Sequence, residues 1–418
     1  MKRRNPHLMP YLDFLLQSDR WPLSALETYQ FEQCKALCLF AQQHSRYYQE
    51  RFADYGFDPK QMQSVEDLQV LPTIGKDDLR MHRDEIAADY IFPTMTLAET
   101  SGTSGQPLSF YRNEEWDSHN RAAMFRGYTW YGIQPWEKNG YFWGYNIEQS
   151  QRLKTMVLDA LQNRFRLFDY DETHIRHFVS KLKGASYLSG YSSMIYEVAK
   201  IVNELQIHAD FHLKMVKGTS EKIYDSYQAE VKRAFGQPMI SEYGSCESGL
   251  IAYECPEGGH MHINMENVIV EEDNGEIVVT NLLSLSFPII RYRLGDSIQL
   301  APKGFRCPCG REHPVLLDVL GRVGKRVVGK QKRYPSLTFY YVFKNLMLRQ
   351  QVALNYQAMQ HQPGKVLLKI EQPKPELLPL LRAELNRYFS DDIDFEIKWG
   401  ETLHTKHGKL KDFITTIA

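Results

Sequence analysis

Between residues 139 and 243 short apolar runs alternate with stretches of helical period, and this alternation narrows the fold more than any other feature of the chain. Leu188-Ser189-Gly190-Tyr191-Ser192 reads as a strand end, followed by a helix over 194–205 with Ser192 or Ser193 as its cap. A strand over 213–217, the turn Gly218-Thr219-Ser220-Glu221, a helix over 221–235 and a strand over 238–243 complete the run. Strands separated by helices do not close as hairpins. They pair in parallel through crossovers, which predicts an α/β core.

At residue 268 the pattern changes. Apolar runs at 268–271 and 276–280 flank Asp273-Asn274-Gly275, a hairpin turn signal, and a strand over 287–293 follows. Beyond a boundary at 321–325, helices over 337–348 and 375–388 are interspersed with strands over 352–359, 366–371 and 393–399, ahead of a polar tail. Residues 1–90 read as helical. Ser24-Ala25-Leu26-Glu27 is a capping box opening a helix towards Tyr55-Gly56. The expected fold class is α/β: a large N-terminal domain, 1–321, of layered α/β form with a small antiparallel unit, and a small α+β C-terminal domain, 322–418.

A chain of 418 residues can bury two such cores. Its net charge of −1 gives no overall basic field for nucleic acid or an anionic membrane. No run approaches the roughly 20 apolar residues of a membrane span, and the start lacks a signal-peptide pattern. Six cysteines in this length do not form a disulfide scaffold. Cys34 and Cys38, one helical turn apart, read as reduced core thiols. The expectation is a soluble, cytoplasmic protein.

The chemistry sits in four short stretches. Glu99-Thr100-Ser101-Gly102-Thr103-Ser104-Gly105 packs hydroxyls and glycines together, then Pro107 leads into a strand. Such a loop can cradle phosphate with backbone N–H groups and hydroxyls. It lacks the lysine of a Walker loop and does not open a helix as a dinucleotide fingerprint does. Tyr243-Gly244-Ser245-Cys246-Glu247 follows a strand end, where a carboxylate can hold Mg²⁺ against phosphates. Arg291-Tyr292-Arg293-Leu294-Gly295-Asp296 places an acid after a glycine turn, suited to ribose hydroxyls or to capping its own backbone. His407-Gly408-Lys409 lies in the tail, where a lone lysine is ordinarily solvated.

In this order TSGTSG, YGSCE, YRLGD, LGR at a domain boundary and a late GK resemble the adenylate-forming (AMP-binding) ligase superfamily. The likeness is greatest to the phenylacetate–CoA ligase branch and, within it, the capsular-polysaccharide-associated (CapK-like) proteins. It spans nearly the whole chain, including Leu71-Pro72 and Lys76-Asp77 in a helical start that otherwise reads as scaffold. The resemblance implies that ATP and a carboxylic acid give an acyl-adenylate and pyrophosphate, and that coenzyme A then takes the acyl group.

Carried over residue by residue, Ser101, Gly102, Thr103, Ser104 and Gly105 would hold the β- and γ-phosphates. Gly218, Ser220 and Glu221 would lie near the adenine, and Tyr243, Gly244, Ser245 and Cys246 would belong to the nucleotide site. Glu247 would carry Mg²⁺. Asp296, helped by Arg322, would bind the ribose. Lys409 would stabilise charge developing at the α-phosphate, and Lys325 would be the hinge of a mobile C-terminal domain. Cys246 stands where threonine is more usual, and Lys325 where aspartate is.

Cys255, His262, Cys307 and Cys309 read as a structural zinc set of three thiolates and one imidazole, with His260 and His313 as alternative nitrogen ligands, or else, for the cysteines, as buried free thiols. A zinc-ribbon nucleic-acid module is the competing use of these cysteines, and the neutral chain speaks against it. The aromatic run at 141–145, with Tyr141, Trp143 and Tyr145, is a buried strand and turn or one wall of an apolar substrate pocket. It suggests an aromatic or apolar acid. Nine Lys or Arg between 303 and 333, against Glu312 and Asp318, form a solvated face or attract an anionic ligand, coenzyme A or an acyl carrier protein. A homodimer and a catalytically silent nucleotide-binding relative remain open readings, as do carrier-protein, amine and hydroxyl acceptors in polysaccharide or secondary-metabolite synthesis.

Overall fold

The computed structural model describes residues 4–100, 108–142, 149–168, 171–207, 210–322, 326–336, 338–403, 405–406 and 409–417. Contacts divide the chain into two discontinuous units, Met1–Pro135 with Glu242–Val319 and Trp136–Ser241 with Leu320–Ala418.

The first unit is built on antiparallel strands. Val268–Asp273, Glu276–Asn281 and Ile289–Leu300 pair successively, as do Val315–Arg322, Met261–Ile263, Gly249–Glu254 and Met239–Ser245. The hairpin signal at 273–275 is realised with Asn274 at φ 54° and Gly275 at φ 80°. Both are positive, as the twist of a two-residue hairpin requires. Helices Leu8–Ser18, Leu23–His44 and Arg46–Asp54 make the helical start. The single helix expected to reach Tyr55 instead breaks at Ser45, whose backbone is extended, and Pro22 rather than Ser24 precedes its first turn. Leu26, Leu37, Ala41, Tyr48 and Phe52 share a core with Ile251, Val268, Ile277, Ile289 and Tyr292. The apolar stripe of the helical start is thus what covers one face of the strands.

The second unit begins with the expected parallel strands, ordered Met215–Thr219, Tyr187–Tyr191, Asn139–Phe142, Arg164–Arg166. Helices Glu172–Lys181, Ser192–Glu204 and Asp225–Phe235 pack on them through Phe178, Ile195, Val198 and Val231. Residues beyond 326 form a sheet ordered Asp394–Trp399, Lys365–Ile370, Tyr356–Gln362, Phe413–Thr415 under helices Thr338–Gln350 and Leu378–Phe389. The tail is not merely polar. Phe413–Thr415 adds a parallel strand, and Phe413 is 1% exposed beside Phe339 and Leu368. One buried aromatic is enough to fix an otherwise polar end.

Candidate active site and metal cluster

The glycine- and hydroxyl-rich loop is the connection of a hairpin. Met95–Glu99 pairs antiparallel with Ser109–Asn113, Glu99 facing Ser109. Thr100 closes the neck: its N–H donates to the Leu108 carbonyl and its Oγ1 accepts from the Leu108 N–H, each at 2.9 Å. Ser101, Gly102, Thr103, Ser104 and Gly105 lie outside the described residues.

Glu247 sits in the turn joining Met239–Ser245 to Gly249–Glu254. The turn is tight. A Cβ on Gly244 would stand 2.3 Å from the Gly249 carbonyl oxygen, so only glycine fits there. Ser245 Oγ accepts from the Ser248 N–H at 3.0 Å, and Asn281 Nδ2 donates to the Glu247 carbonyl at 2.8 Å. The Glu247 side chain is buried, with Oε1 accepting from Tyr292 OH at 3.3 Å. Cys246 is held by Arg112, which contacts its carbonyl and lies 3.2 Å from its sulfur.

Asp296 occupies a β-bulge within the twelve-residue strand Ile289–Leu300, not a turn after a strand. Gly295, at φ 83°, supplies the bulge, and Tyr243 OH donates to Asp296 Oδ2 at 2.9 Å. Tyr243 and Asp296 thereby come together from two of the predicted stretches.

Sequence reasoning left out Lys76. Its Nζ lies 3.1 Å from Thr100 Oγ1 and 3.9 Å from Glu247 Oε1. A short parallel bridge puts it there: Ile74 N–H donates to the Arg291 carbonyl at 3.0 Å, and Arg293 N–H to the Ile74 carbonyl at 2.8 Å. Arg291, itself at φ 52°, holds the Gln69 and Leu71 carbonyls with its guanidinium. The lysine missing from the loop is thus supplied from 24 residues upstream. Nothing local in Lys76-Asp77-Asp78 marks it; the Leu71-Pro72 exit and the Arg291 strand locate it only when paired.

In the second unit, Gly218, Ser220 and Glu221 lie at the carboxyl end of a parallel strand, where α/β sheets present ligand-binding loops. Ser220 has φ 66°, and a Cβ on Gly218 would fall 2.5 Å from Ser192 Oγ. Glu221 Oε2 accepts from the Ser193 N–H and hydroxyl at 2.9 and 2.7 Å. A carboxylate, rather than either serine side chain, thus caps helix Ser192–Glu204. The guanidiniums of Arg164 and Arg166 approach the Tyr141 ring, 4.1 and 4.7 Å from its centroid. This part of the aromatic run is cationic in surroundings. Trp143, Tyr145 and Lys325 lie outside the described residues. Arg322 and Lys409 are on strands Val315–Arg322 and Lys409–Leu410, their side chains outside the described part.

The four predicted metal ligands converge within the first unit. The ligand atoms of Cys255, His262, Cys307 and Cys309 all lie within 4.8 Å of one another, and all four residues are buried. Cys255 and Cys307 sulfurs are 3.5 Å apart, and Cys309 Sγ is 3.2 Å from His262 Nε2. A tetrahedral zinc with bonds of about 2.0 to 2.3 Å requires ligand separations of roughly 3.5 to 3.8 Å, so the set fits with small adjustment. His262 Nδ1 donates to the His313 carbonyl at 3.1 Å, which turns Nε2 towards the thiols. Burial pushes the His262 imidazole down to about 4, so it stays neutral as a ligand must.

His313 is therefore not the nitrogen ligand. Its Nε2 meets Glu266 Oε1 at 3.1 Å, while Arg126 reaches the same oxygen at 2.7 Å. Burial alone would raise the Glu266 carboxyl, but Arg126 and His313 hold it well below the usual range. His260 packs edge-on against Phe305, outside the cluster. Three members of the basic stretch are paired: Arg306 with Glu312, Arg311 with Asp19, Lys330 with Asp394.

No family model matches the chain. Protein CapK of Staphylococcus aureus is 21% identical over 406 residues, 90% of this chain and 85% of that protein. The 2-hydroxyisobutyryl-CoA ligase in its postadenylation state, with an acyl-AMP bound, superposes with a TM-score of 0.74 at 16% identity, over 96% of this chain and 91% of the other. The chain is similar to CapK in sequence and has the adenylate-forming ligase fold. The same ligase with 2-HIB-AMP and CoA in its thioesterification state superposes with a TM-score of 0.63 at 18% identity, over 96% and 91% of the two chains. A shorter likeness, 27% over 113 residues, links 26% of this chain to 28% of the indoleacetate–lysine synthetase of Pseudomonas savastanoi. Among the described residues no helix is long and apolar enough to cross a membrane.

Proposed function

We propose that this chain uses ATP and Mg²⁺ to activate a carboxylic acid as its acyl-adenylate, then transfers the acyl group to coenzyme A. A carboxylate oxygen attacks the α-phosphorus, the α–β phosphoanhydride bond breaks and pyrophosphate leaves. The thiol sulfur then attacks the acyl carbon and AMP departs. The observation that carries the reading is the convergence of Lys76, Thr100, Tyr292 and Glu247 at the neck of the TSGTSG hairpin.

In this reading Ser101 to Gly105 wrap the β- and γ-phosphates, and Lys76 supplies the fixed positive charge beside them. Glu247 holds Mg²⁺, whose charge offsets the triphosphate. Asp296, fixed by Tyr243, takes the ribose hydroxyls with Arg322. Gly218, Ser220 and Glu221 border the adenine. Lys409 donates to the α-phosphate and carboxylate from a lid, residues 322–418, that turns about Lys325. Glu371 of that lid meets Lys200 Nζ at 2.5 Å, a tie that turning would break. We assign zinc to Cys255, His262, Cys307 and Cys309 in a structural role, since all four positions are filled by protein.

The acid is expected to be apolar or aromatic, seated against Tyr141, Trp143 and Tyr145; the Arg164 and Arg166 pair adds room for a polar substituent. The likeness to an indoleacetate–lysine synthetase over 113 residues favours an aromatic acid and, as a second reading, an amine acceptor. The test is two half-reactions on Lys409→Ala. Adenylate formation should collapse, while a chemically supplied acyl-adenylate is still passed on. Offering coenzyme A and lysine side by side distinguishes the acceptors. Adenylation by Lys409→Ala at the wild-type rate would show the tail lysine to be merely solvated.

A further inference from the structure

Helix Gln149–Leu161 presents an apolar stripe to solvent. Of the sixteen large apolar side chains exposed among the described residues, five lie on it: Leu153, Met156, Val157, Leu158 and Leu161. Leu153 and Leu161 are 72% and 80% exposed. Leu153, Val157 and Leu161 follow one another at four-residue spacing, with Met156 and the exposed Ala160 beside them, so they line one face. The other face is spoken for: Asp159 is buried and takes Arg166 Nε at 2.8 Å, and the Arg152 guanidinium lies 5.5 Å from the Phe168 ring centroid. The helix is docked on its own unit and still shows its more apolar side.

We propose that this stripe is the contact between two copies of the chain, packed as antiparallel helices about a two-fold axis at Val157. The area is right. At about 30 Å² per side-chain carbon, the five residues expose on the order of 400 Å² of apolar surface. One side of a standard interface buries about 800 Å², rather more than half of it apolar. The sequence is self-complementary about that axis. Val157 meets its own copy and Leu153 meets Leu161, with Met156 and Leu158 on the flanks. Lys154, the exposed charge beside the stripe, falls opposite Ala160 rather than opposite another lysine. A single lysine also offers little to an anionic lipid surface, which membrane-lying helices meet with a strongly basic face.

The test is the mass of the full chain by light scattering across a dilution series. The wild type should run as a dimer. Leu153→Glu with Leu161→Glu should raise the dimer dissociation constant by about 100-fold or more and leave a monomer of unchanged helical signal. Val157→Cys should cross-link to itself under mild oxidation, whereas Lys154→Cys should not. A wild type that stays monomeric at tens of micromolar, or a dimer untouched by the double substitution, overturns the proposal. So does wild-type monomer that binds anionic vesicles through the same leucines.

Discussion

Two polar clusters of the first unit differ in kind. Cys255, His262, Cys307 and Cys309 present soft ligands, all buried, around one point, and His262 is oriented by a backbone carbonyl. Lys76, Thr100, Tyr292 and Glu247 present hard oxygens and an ammonium at 3.1 to 3.9 Å, beside a loop of hydroxyls. The first is closed and suits an ion that never exchanges its ligands. The second combines one carboxylate with one ammonium and suits anionic oxygens that come and go. The difference teaches where to expect stability and where to expect turnover.

Substitutions should separate the two. Cys307→Ser removes a thiolate from a closed set, and metal binding energy is folding energy. A fall in melting temperature of about 10 °C or more is expected in a scan, with zinc lost by elemental analysis and both half-reactions falling together. A selective loss of one half-reaction would break the contrast. Lys409→Ala should slow adenylation by on the order of a hundredfold or more at unchanged melting temperature, as loss of one preorganised donor costs about 3 to 4 kcal/mol.

Lys76→Ala should lower kcat/KM for ATP by roughly 10- to 100-fold, the scale of one charge-assisted contact. Lys76→Arg should recover part of it, because charge is kept and geometry is not. An unchanged steady state would return Lys76 to the scaffold.

A smaller effect concerns acid stability. His119 stacks on Tyr11 at 3.5 Å, and burial, with His7 nearby, pushes its imidazole down to about 4. Its folded pKa lies below the unfolded value, so the stability it contributes is present above about 6.5 and is lost as pH falls through 4. His119→Phe should therefore shift the acid unfolding midpoint to lower pH in a circular dichroism titration. The least effect is expected from Cys246→Thr, under about threefold in adenylation, because Arg112 already holds the Cys246 carbonyl.

The cysteine–histidine cluster was the more legible of the two in the sequence. Cys307-Pro308-Cys309-Gly310 is a local turn, with Gly310 at φ 74°, and soft residues seldom gather by accident. His262 was named from spacing with His260 and His313 as alternatives, and what separates it from His313 is a hydrogen bond across the 262 and 313 strand ends that spacing alone does not show. The α/β alternation at 139–243 and the 273–275 hairpin were readable because period and turn chemistry are local. Lys76 was not, because Arg291 and Ile74 bring it to Glu247 through pairing over more than 200 residues. Asp296 was found for its acidity and misplaced in geometry: a bulge and a turn carry the same glycine signal. Phe413 was overlooked because a single apolar residue in a polar tail has no period.

The most direct measurement is acid-dependent exchange of labelled pyrophosphate into ATP, with a panel of aryl, fatty, hydroxy and amino acids, on wild type and Glu247→Gln. Exchange should appear with an apolar or aromatic acid, require Mg²⁺, and fall by about a hundredfold or more in Glu247→Gln while the fold and its zinc persist. ATP that stabilises the wild type, with no exchange for any acid, would contradict an adenylating enzyme and leave a nucleotide-binding relative.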